Sequence, residues 1–290
     1  MELSQRIEDE LAAAMERVDA GSGPPALAAA MRHALFPGGA RVRPRLCLAV
    51  ALACGDRNPA AATAMAAAIE MMHCASLVHD DLPCFDDADI RRGRPSVHAA
   101  YGEPLAVLAG DGLIVLAVEQ LALRTAVTPG LVAPLITTLT RGVGMPEGIV
   151  AGQGWESEPD PPLARYHEQK TGALFIAATA GGALAAGGDP EAWVAVGARL
   201  GLAYQVADDL LDAVSSDGSA GKPCAQDGAH HRPNAVGRLG VSGAVARLRG
   251  LVGEAVAAIP DCPGAGMLRE LVRAQAVRLV PAALADAAAA

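Results

Sequence analysis

The sequence predicts an all-α protein, and three observations carry that prediction. Apolar residues recur three and four positions apart in segment after segment, which is the spacing of a helix face, while β-branched residues seldom alternate with polar ones. Hydrophobic residues make up 52% of the chain but aromatic residues only 3%, so Ala, Leu and Val fill the core, as in closely packed helices. Pro and Gly clusters separate about ten segments of helical length.

These clusters place the segments in order along the chain. Each cluster is predicted to end one helix and to precede the next, because Gly commonly ends a helix and Pro fits the first turn of the following helix. The clusters are GSGPP (21–25), PGG (37–39), GDRNP (55–59), GEP (102–104), TPG (128–130), EPDPP (158–162) and GGDP (187–190). The charge-free stretch 171–188 is too weakly apolar for a membrane span and is predicted to be a buried helix. No linker divides the chain, so residues 1–290 are predicted to form one domain.

Charge and composition exclude several classes of partner. The net charge is −9 and no dense Lys/Arg cluster stands out, which argues against electrostatic binding of nucleic acid or of an anionic membrane. The six cysteines never fall in a C-x-x-C spacing, and the first residues are charged where a signal peptide would be apolar. We therefore expect reduced thiols, a cytoplasmic location and no membrane span.

An acidic cluster, HDDLPCFDDAD, closes a long Ala/Met segment. Pro83 disfavours helix at the residue before it, so Asp80 and Asp81 are predicted to lie at a helix C-terminus, where the helix dipole is already negative. With Asp86 after a bend, several carboxylates share a small volume, an arrangement that bound cations would neutralise. For this cluster alone, a solvated acidic loop is the alternative.

A second acidic cluster follows the apolar run WVAVGARLGLAYQVA and contains Asp208, Asp209 and Asp212. Asp208 and Asp212 are four residues apart, so they share a helix face, where like charges destabilise a helix by a few tenths of a kcal/mol. Alone, this cluster is also explained as a satisfied helix end. Together the two clusters predict two walls of one Mg²⁺ site, since Mg²⁺ binds through a few carboxylates and substrate phosphates.

Basic residues accompany both clusters. Arg91 and Arg92 follow the first closely enough to bind the same anion. Lys170 and Lys222 are the only lysines among 23 basic residues, and Lys222 lies ten residues after the second cluster. A compact ammonium at both places indicates contacts with phosphate, and two solvated surface lysines are the alternative.

With these motifs the sequence resembles the trans-polyprenyl diphosphate synthases. The resemblance is carried, in chain order, by PGGARVRP (37–44), HCASLVHDDLPCFDDADIRRGRPSVH (73–98), AGDGLI (109–114), AGQ (151–153), KTGALF (170–175), AYQVADDLLD (203–212) and GKPCAQD (221–227). The first aspartate motif is most similar to the geranylgeranyl diphosphate synthases of carotenoid and bacteriochlorophyll pathways in purple photosynthetic bacteria. The resemblance implies the isoprenoid synthase fold, a bundle of about ten helices around a central cavity, and a homodimer.

The resemblance also implies a role for each matching residue. The ligands of three Mg²⁺ per active site would be Asp80, Asp81, Asp86, Asp208, Asp209 and Asp212. The allylic diphosphate would lie against Arg91, Lys170, Lys222, Thr171 and Gln205. Isopentenyl diphosphate would contact Gly39, Arg43, His73 and Arg92. For His73 the alternative is a satisfied core histidine.

The chain departs from the family pattern at two places. Ala40 stands where the family commonly has a lysine, so one contact to isopentenyl diphosphate is missing unless Arg41 or Arg45 replaces it. After the second motif, Arg232 stands where a further phosphate-binding lysine is expected, which keeps the charge. Neither change removes a metal ligand.

The implied reaction joins isopentenyl diphosphate to dimethylallyl, geranyl or farnesyl diphosphate, with geranylgeranyl diphosphate as the product. Synthases that stop at fifteen carbons tend to have an aromatic residue four or five positions before the first aspartate, where this chain has Ser76 and Ala75. These small residues leave the tunnel open, and Met72 and Met71, about one helical turn deeper, are its expected floor. Ordinary core packing is the alternative for all four residues.

Three other functions stay open at this point. A farnesyl diphosphate synthase would differ only in product length. A non-catalytic subunit of a heteromeric synthase would be expected to have degraded aspartate motifs, whereas both are intact here. An all-α terpene cyclase would not need the isopentenyl diphosphate site that Arg43, His73 and Arg92 suggest.

Overall fold

A computed structural model describes residues 3–36, 38–214 and 235–279 and confirms the all-α prediction. Within those ranges ten helices have eleven or more residues, and the strands are two pairs of residues in one hairpin. The longer helices are α1 (Leu3–Asp19), α2 (Pro25–Leu35), α3 (Val42–Ala53), α4 (Pro59–Asp80), α6 (Glu103–Thr125), α7 (Pro129–Val143), α10 (Ala173–Ala185), α11 (Val194–Val214), α12 (Ala235–Ala258) and α13 (Ala265–Leu279). The shorter elements are β1 (Ile90–Arg91), β2 (Arg94–Pro95), α5 (Val97–Tyr101), α8 (Ile149–Gly154) and α9 (Leu163–His167). Two 3₁₀ turns, Trp155–Ser157 and Glu191–Trp193, and one π-helical turn, Glu168–Gly172, complete the set.

The chain divides into two compact units. Unit 1 comprises residues 1–139 and 181–188, and unit 2 comprises residues 140–180 and 189–290. Each unit is described separately below. The single domain expected across residues 1–290 stays a prediction.

The core of unit 1 is built around α4. This helix is mostly apolar and most of its residues are buried, and it packs against α1, α3 and α6. Small residues bring the neighbours close. A Cβ on Gly181 or Gly182 would overlap Met65 of α4 or the Cys47 carbonyl of α3, respectively. The second half of α10, predicted to be a buried helix, is therefore held tightly in this core.

Within the described part of the chain, two helices, α4 and α6, are long and apolar enough to span a membrane by length and composition. The most apolar window of α4 is 83% buried in the protein, whereas that of α6 is only 44% buried. The exposed side of α6 includes Val107, Leu108, Val115 and Leu123. Unit 1 therefore presents one helix face that is apolar and uncovered.

In unit 2, α11 packs against α12 and against the π-helical turn, and α12 packs against α13. The π-helical turn separates α9 from α10, and such turns inside helices occur frequently at functional sites. Helices approach it closely on two sides. A Cβ on Gly152 of α8 would overlap the backbone of Lys170, and a Cβ on Gly201 of α11 would meet Gly172 at 2.5 Å.

Candidate active site

The first aspartate motif in unit 1 begins at the end of α4. As predicted, the helix starts at Pro59 and ends at Asp80. The loop then folds back, because the amide of Asp86 donates to the carbonyl of Asp80 at 2.9 Å and the amide of Ala88 donates to the carbonyl of Asp81 at 3.1 Å. These bonds make Asp80 and Asp86 neighbours, each half-buried. The expected concentration of carboxylates after a bend is therefore present within unit 1.

Asp81 has a different environment from Asp80 and Asp86. Its side chain is buried, and Nε of Arg91 donates to both carboxylate oxygens, at 2.9 and 3.2 Å. Burial raises the pKa of Asp81, although the hydrogen bonds and charge of Arg91 oppose that rise. For Arg91, burial alone would lower the pKa, but hydrogen bonding to Asp81 and the charges of Asp80 and Asp86 raise it. Asp81 is thus engaged by Arg91, and its assignment as a metal ligand stays a prediction.

Arg91 and Arg92 lie on the β-hairpin that follows the loop. Its two-residue turn has φ angles of 55° at Arg92 and 74° at Gly93, the left-handed pair that twisted hairpins favour. Asn usually occupies the first of these positions, and a non-glycine residue there is held at a cost of about 1 kcal/mol. Residues held in such conformations cluster at active sites and ligand clamps.

The four residues assigned to isopentenyl diphosphate come together in unit 1. A Cβ on Gly39 would lie 3.0 Å from the guanidinium of Arg92, and Nη1 of Arg43 lies 3.5 Å from Nε2 of His73. Burial lowers the pKa of His73 well below its ordinary value, and the charges of Arg43, Arg92 and Arg91 lower it further. His73 is therefore neutral at pH 7, inside a positive pocket that suits an anion.

Arg41 does not replace the lysine that is missing at Ala40. Its guanidinium is buried and donates to Glu8 at 2.7 Å, to Glu70 at 2.7 Å and to the carbonyl of Leu35 at 2.9 Å. Burial alone would lower the pKa of Arg41, but the hydrogen bond that Arg41 donates to Glu8 and the charge of Glu70 raise it. All donors of this guanidinium thus face structural partners, whereas Ala40 is exposed.

Within unit 2, Lys170 and Thr171 lie in the π-helical turn. The ammonium of Lys170 forms an ion pair with Glu156, which also accepts from Tyr166 at 2.6 Å and from Gln153 at 3.0 Å. Sequence reasoning missed Glu156, although it lies three residues after Gln153 of the AGQ motif. No residue-type signal set this carboxylate apart from its neighbours, and only the packing of α8 against the turn brings it to Lys170.

A second set of hydrogen bonds connects the π-helical turn to α11. Thr171 donates to Gln205 at 2.7 Å, and Gln205 donates to Asp209 at 3.0 Å. Asp209 is buried and also accepts from the amide of Ala235 at 2.7 Å, so it joins α11 to the start of α12. The predicted neighbourhood of Thr171 and Gln205 is therefore present, and Asp209 has a structural role whether or not it binds metal.

Asp208 and Asp212 lie within α11, four residues apart and both half-buried. The predicted helix is therefore present under the second aspartate motif. Lys222 and Arg232, the other phosphate contacts implied by the resemblance, lie outside the described residues.

The four chain-length residues all lie on α4 but not on one face. Met72 and Ser76 are eight and four residues before Asp80, so they share its face, and Ser76 is half-buried. Ala75 is buried four residues before His79, whose ring packs against Gly110 of α6 so closely that a Cβ there would overlap it. Met71, also buried, lies one turn earlier on that α6-facing side.

Two tests bear on the metal expected at these carboxylates. Over the described ranges, no group of three or more His, Cys, Asp or Glu side chains forms a ready-made cage for a metal ion. The donors of the two motifs are all carboxylate oxygens, which is the donor type that Mg²⁺ prefers, and Mg²⁺ needs only one or two of them when substrate phosphates and water complete its shell. The residues therefore fit Mg²⁺ that binds together with a diphosphate.

Comparisons with known proteins identify relatives of this chain. The chain is 56% identical to a geranylgeranyl diphosphate synthase of Cereibacter sphaeroides, with 98% of this chain and 99% of the relative covered. It is 52% identical to a geranylgeranyl diphosphate synthase of Rhodobacter capsulatus, with 97% of both chains covered. The structure of a geranyltransferase from Helicobacter pylori, complexed with magnesium and isoprenyl diphosphate, matches it with a TM-score of 0.78 and 29% identity over 95% of this chain and 97% of that one.

The same comparisons test the family resemblance itself. Residues 24–243 match the polyprenyl synthetase family, a range that contains both aspartate motifs and the hairpin arginines. The match confirms the resemblance inferred from the motifs. This chain belongs to the polyprenyl synthetase family.

Proposed function

We propose that this protein is a geranylgeranyl diphosphate synthase, which adds isopentenyl diphosphate to dimethylallyl, geranyl and farnesyl diphosphates. The observation that carries the proposal is that unit 1 contains two different anion sites. Asp80 and Asp86 are neighbours in the loop after α4, and His73 of the same helix lies near the positive charges of Arg43 and Arg92. One site suits a metal-bound diphosphate and the other suits a second diphosphate without metal. The two relatives that are 52% and 56% identical support the twenty-carbon product.

The carboxylates of the two motifs would hold the metal ions of this reaction. Asp80 and Asp86 in unit 1 and Asp208 and Asp212 in unit 2 are the ligands we propose for Mg²⁺. The resemblance implies Asp81 and Asp209 as further ligands, and three ions in all. When bound, Mg²⁺ would supply charge neutralisation for the departing diphosphate. The magnesium and isoprenyl diphosphate in the Helicobacter pylori structure support Mg²⁺ as the metal.

The chain's own residues would then bind and orient the substrates. Arg91 and Lys170 would hold the allylic diphosphate, with Lys222 as a further contact. The C1–O bond of the allylic diphosphate breaks, and both electrons leave with the diphosphate, so an allylic cation remains. This ionisation needs no protein nucleophile, because the positive groups around the diphosphate stabilise the leaving group.

Isopentenyl diphosphate would react from the pocket of Gly39, Arg43, His73 and Arg92. Its C3=C4 bond attacks C1 of the cation to form the new carbon–carbon bond. Loss of a proton from C2 then restores a double bond, and the departed diphosphate is the proposed base. The apolar side chain of Met72, on the same face of α4 as Asp80, would help to keep water from the cation.

One assay tests the proposal directly. Radiolabelled isopentenyl diphosphate would be incubated with dimethylallyl, geranyl or farnesyl diphosphate and Mg²⁺, and the products sized by chromatography. A main product of twenty carbons from all three primers supports the proposal. A fifteen-carbon end product would instead identify a farnesyl diphosphate synthase, and no condensation would favour a non-catalytic subunit.

Ser76→Tyr should shorten the main product from twenty to fifteen carbons. Ser76 shares the face of Asp80 and is half-buried, so we expect an aromatic ring there to shorten the tunnel that takes the growing chain. Met72 would remain as the deeper floor, about one turn below. Product sizing of the purified variant is the measurement, and an unchanged twenty-carbon product would exclude this face as the tunnel wall.

Ala75→Tyr is the matched control for that prediction. Ala75 is buried on the α6-facing side of α4, so the same ring should overpack the core and lower the free energy of unfolding by about 1 to 3 kcal/mol. Its product should stay at twenty carbons. A fifteen-carbon product from Ala75→Tyr but not from Ser76→Tyr would place the tunnel on the α6-facing side of α4 instead.

We further propose that the exposed face of α6 binds a second copy of this chain. Leu108 and Val115 are seven residues apart on that face and are 49% and 68% exposed. Two arguments support a second copy as the partner. The family resemblance implies a homodimer, and the apolar face of α6 is left uncovered by the rest of unit 1. We also propose a cytoplasmic location, which the absence of C-x-x-C spacings supports, and a role in carotenoid and bacteriochlorophyll synthesis, which the resemblance implies.

Val115→Asp should convert the dimer to a monomer. In a symmetric dimer each subunit would bury one unpaired carboxylate at the apolar contact, which is costly. Sedimentation velocity at micromolar protein is the measurement. Val127→Asp is the matched control, since Val127 is 89% exposed in the loop after α6 and outside its apolar face. A wild-type protein that sediments as a monomer, or a Val115→Asp protein that stays a dimer, would remove α6 as the interface.

A further inference from the structure

His33, at the end of α2, is bonded through both of its ring nitrogens to the hairpin that carries Arg91 and Arg92. Nδ1 lies 2.5 Å from Nη2 of Arg94, and Nε2 lies 2.8 Å from the carbonyl of Pro95. Arg94 and Pro95 are the two residues of β2, which pairs with β1. The ring also makes an edge contact with Tyr101 of α5, at 5.4 Å between centroids. His33 therefore contacts the hairpin and the helix that follows it.

The two partners assign different roles to the two nitrogens. A guanidinium can only donate, so Nδ1 must accept, and a carbonyl can only accept, so Nε2 must donate. Only the neutral imidazole with its proton on Nε2 satisfies both bonds. No other single side chain offers an acceptor and a donor in one rigid ring at this spacing. The contact is therefore specific to histidine.

Arg94 extends the same connection to the end of α2. Its Nη1 donates to the carbonyl of Phe36, one residue beyond the helix, at 2.5 Å. One guanidinium thus holds the hairpin against the segment that leads to Gly39. Gly39 and Arg92 meet there, since a Cβ added to Gly39 would lie 3.0 Å from the guanidinium of Arg92. The relative placement of Gly39 and Arg92 consequently depends on Arg94 and His33.

We propose that His33 is a positioning residue, which acts through Arg94 to hold Arg92 and Gly39 in the geometry that binds isopentenyl diphosphate. This inference rests on the proposed function, because it assigns His33 to the isopentenyl diphosphate half of that reaction. Two further features support it. Arg92 sits in a left-handed turn that needs external support, and no other hydrogen bond described between α2 and the hairpin involves a side chain of α2.

His33→Phe is the direct test, since it removes both hydrogen bonds and keeps an aromatic ring beside Tyr101. We expect the KM for isopentenyl diphosphate to rise about tenfold, the effect of weakening one hydrogen bond to a charged group. The KM for farnesyl diphosphate and kcat should change less than twofold, because the aspartate motifs are untouched. A merely structural role would lower the melting temperature without separating the two KM values.

Two controls show whether His33 acts through Arg94. Tyr101→Leu removes the ring contact alone and should leave both KM values unchanged. In a double-mutant cycle, adding His33→Phe to Arg94→Met should raise the KM for isopentenyl diphosphate no further than Arg94→Met alone, because the shared connection is already lost. Additive effects would show that His33 acts independently of Arg94 and would overturn the proposal.

The outcomes separate this inference from the proposed function. A wild-type protein without condensation activity would contradict the proposed function. An active wild type with an unchanged KM for isopentenyl diphosphate in His33→Phe would overturn the role of His33 alone. If His33→Phe does not fold, Arg94→Lys provides the same comparison, since Arg94 is only half-buried and a lysine keeps the charge but cannot bond His33 and Phe36 together.

Discussion

Asp80→Asn is expected to lower kcat about a thousandfold or more while leaving the fold intact, because a lost Mg²⁺ ligand removes several kcal/mol of charge stabilisation from the departing diphosphate. Asp80 ends α4, where the helix dipole is already negative and Asp86 is a neighbour. Removing its charge therefore relieves repulsion in the free protein. The melting temperature should stay constant or rise, and the Mg²⁺ concentration needed for diphosphate binding should increase.

Asp87→Asn is the matched control, with the same chemical change in the same loop. Asp87 is exposed and its φ of 47° lies in the left-handed region, which Asn tolerates well. Its kcat should stay within about twofold of wild type, as for an ordinary surface substitution. Asp208→Asn in α11 should behave like Asp80→Asn. If Asp80→Asn kept more than a tenth of the wild-type kcat, the metal assignment would be wrong.

Arg41→Met should have the largest effect on stability, a loss of about 3 to 5 kcal/mol in the free energy of unfolding. The substitution leaves Glu70, which is 2% exposed, without its ion-pair partner inside unit 1. Glu8 is 40% exposed at its side chain and can be solvated, so the cost falls mainly on Glu70. Urea denaturation followed by circular dichroism measures the change.

The double variant Arg41→Met/Glu70→Leu distinguishes a buried charge from lost packing. Replacing both partners by apolar residues should recover most of the stability, because neither charge is then buried alone. At temperatures where either variant is folded, the KM for isopentenyl diphosphate should equal that of wild type. A KM raised tenfold in the double variant would instead show that Arg41 contacts this substrate in place of the lysine missing at Ala40.

The local sequence determined the secondary structure of this protein to a large extent. The start of α4 at Pro59 and its end at Asp80 follow from the conformations that proline allows, which depend only on neighbouring residues. The all-α class follows from apolar spacing, which is also local. The motif residues were identified in the same way, because their spacing along the chain is a property of the sequence. Even the fold-back that joins Asp86 to Asp80 was anticipated from the break at Pro83.

The tertiary structure alone decided which partner each of these side chains has. Arg41 meets Glu8 and Glu70, Arg91 meets Asp81, and Lys170 meets Glu156, although none of these partners is a neighbour in sequence. A guanidinium or ammonium carries no local information about which carboxylate it will reach. That choice depends on which helix faces pack together, and packing is set by shape and volume over the whole core. The sequence therefore indicated candidate residues for the site, and packing determined which of their side chains, such as Asp81 and Lys170, are held by other protein groups.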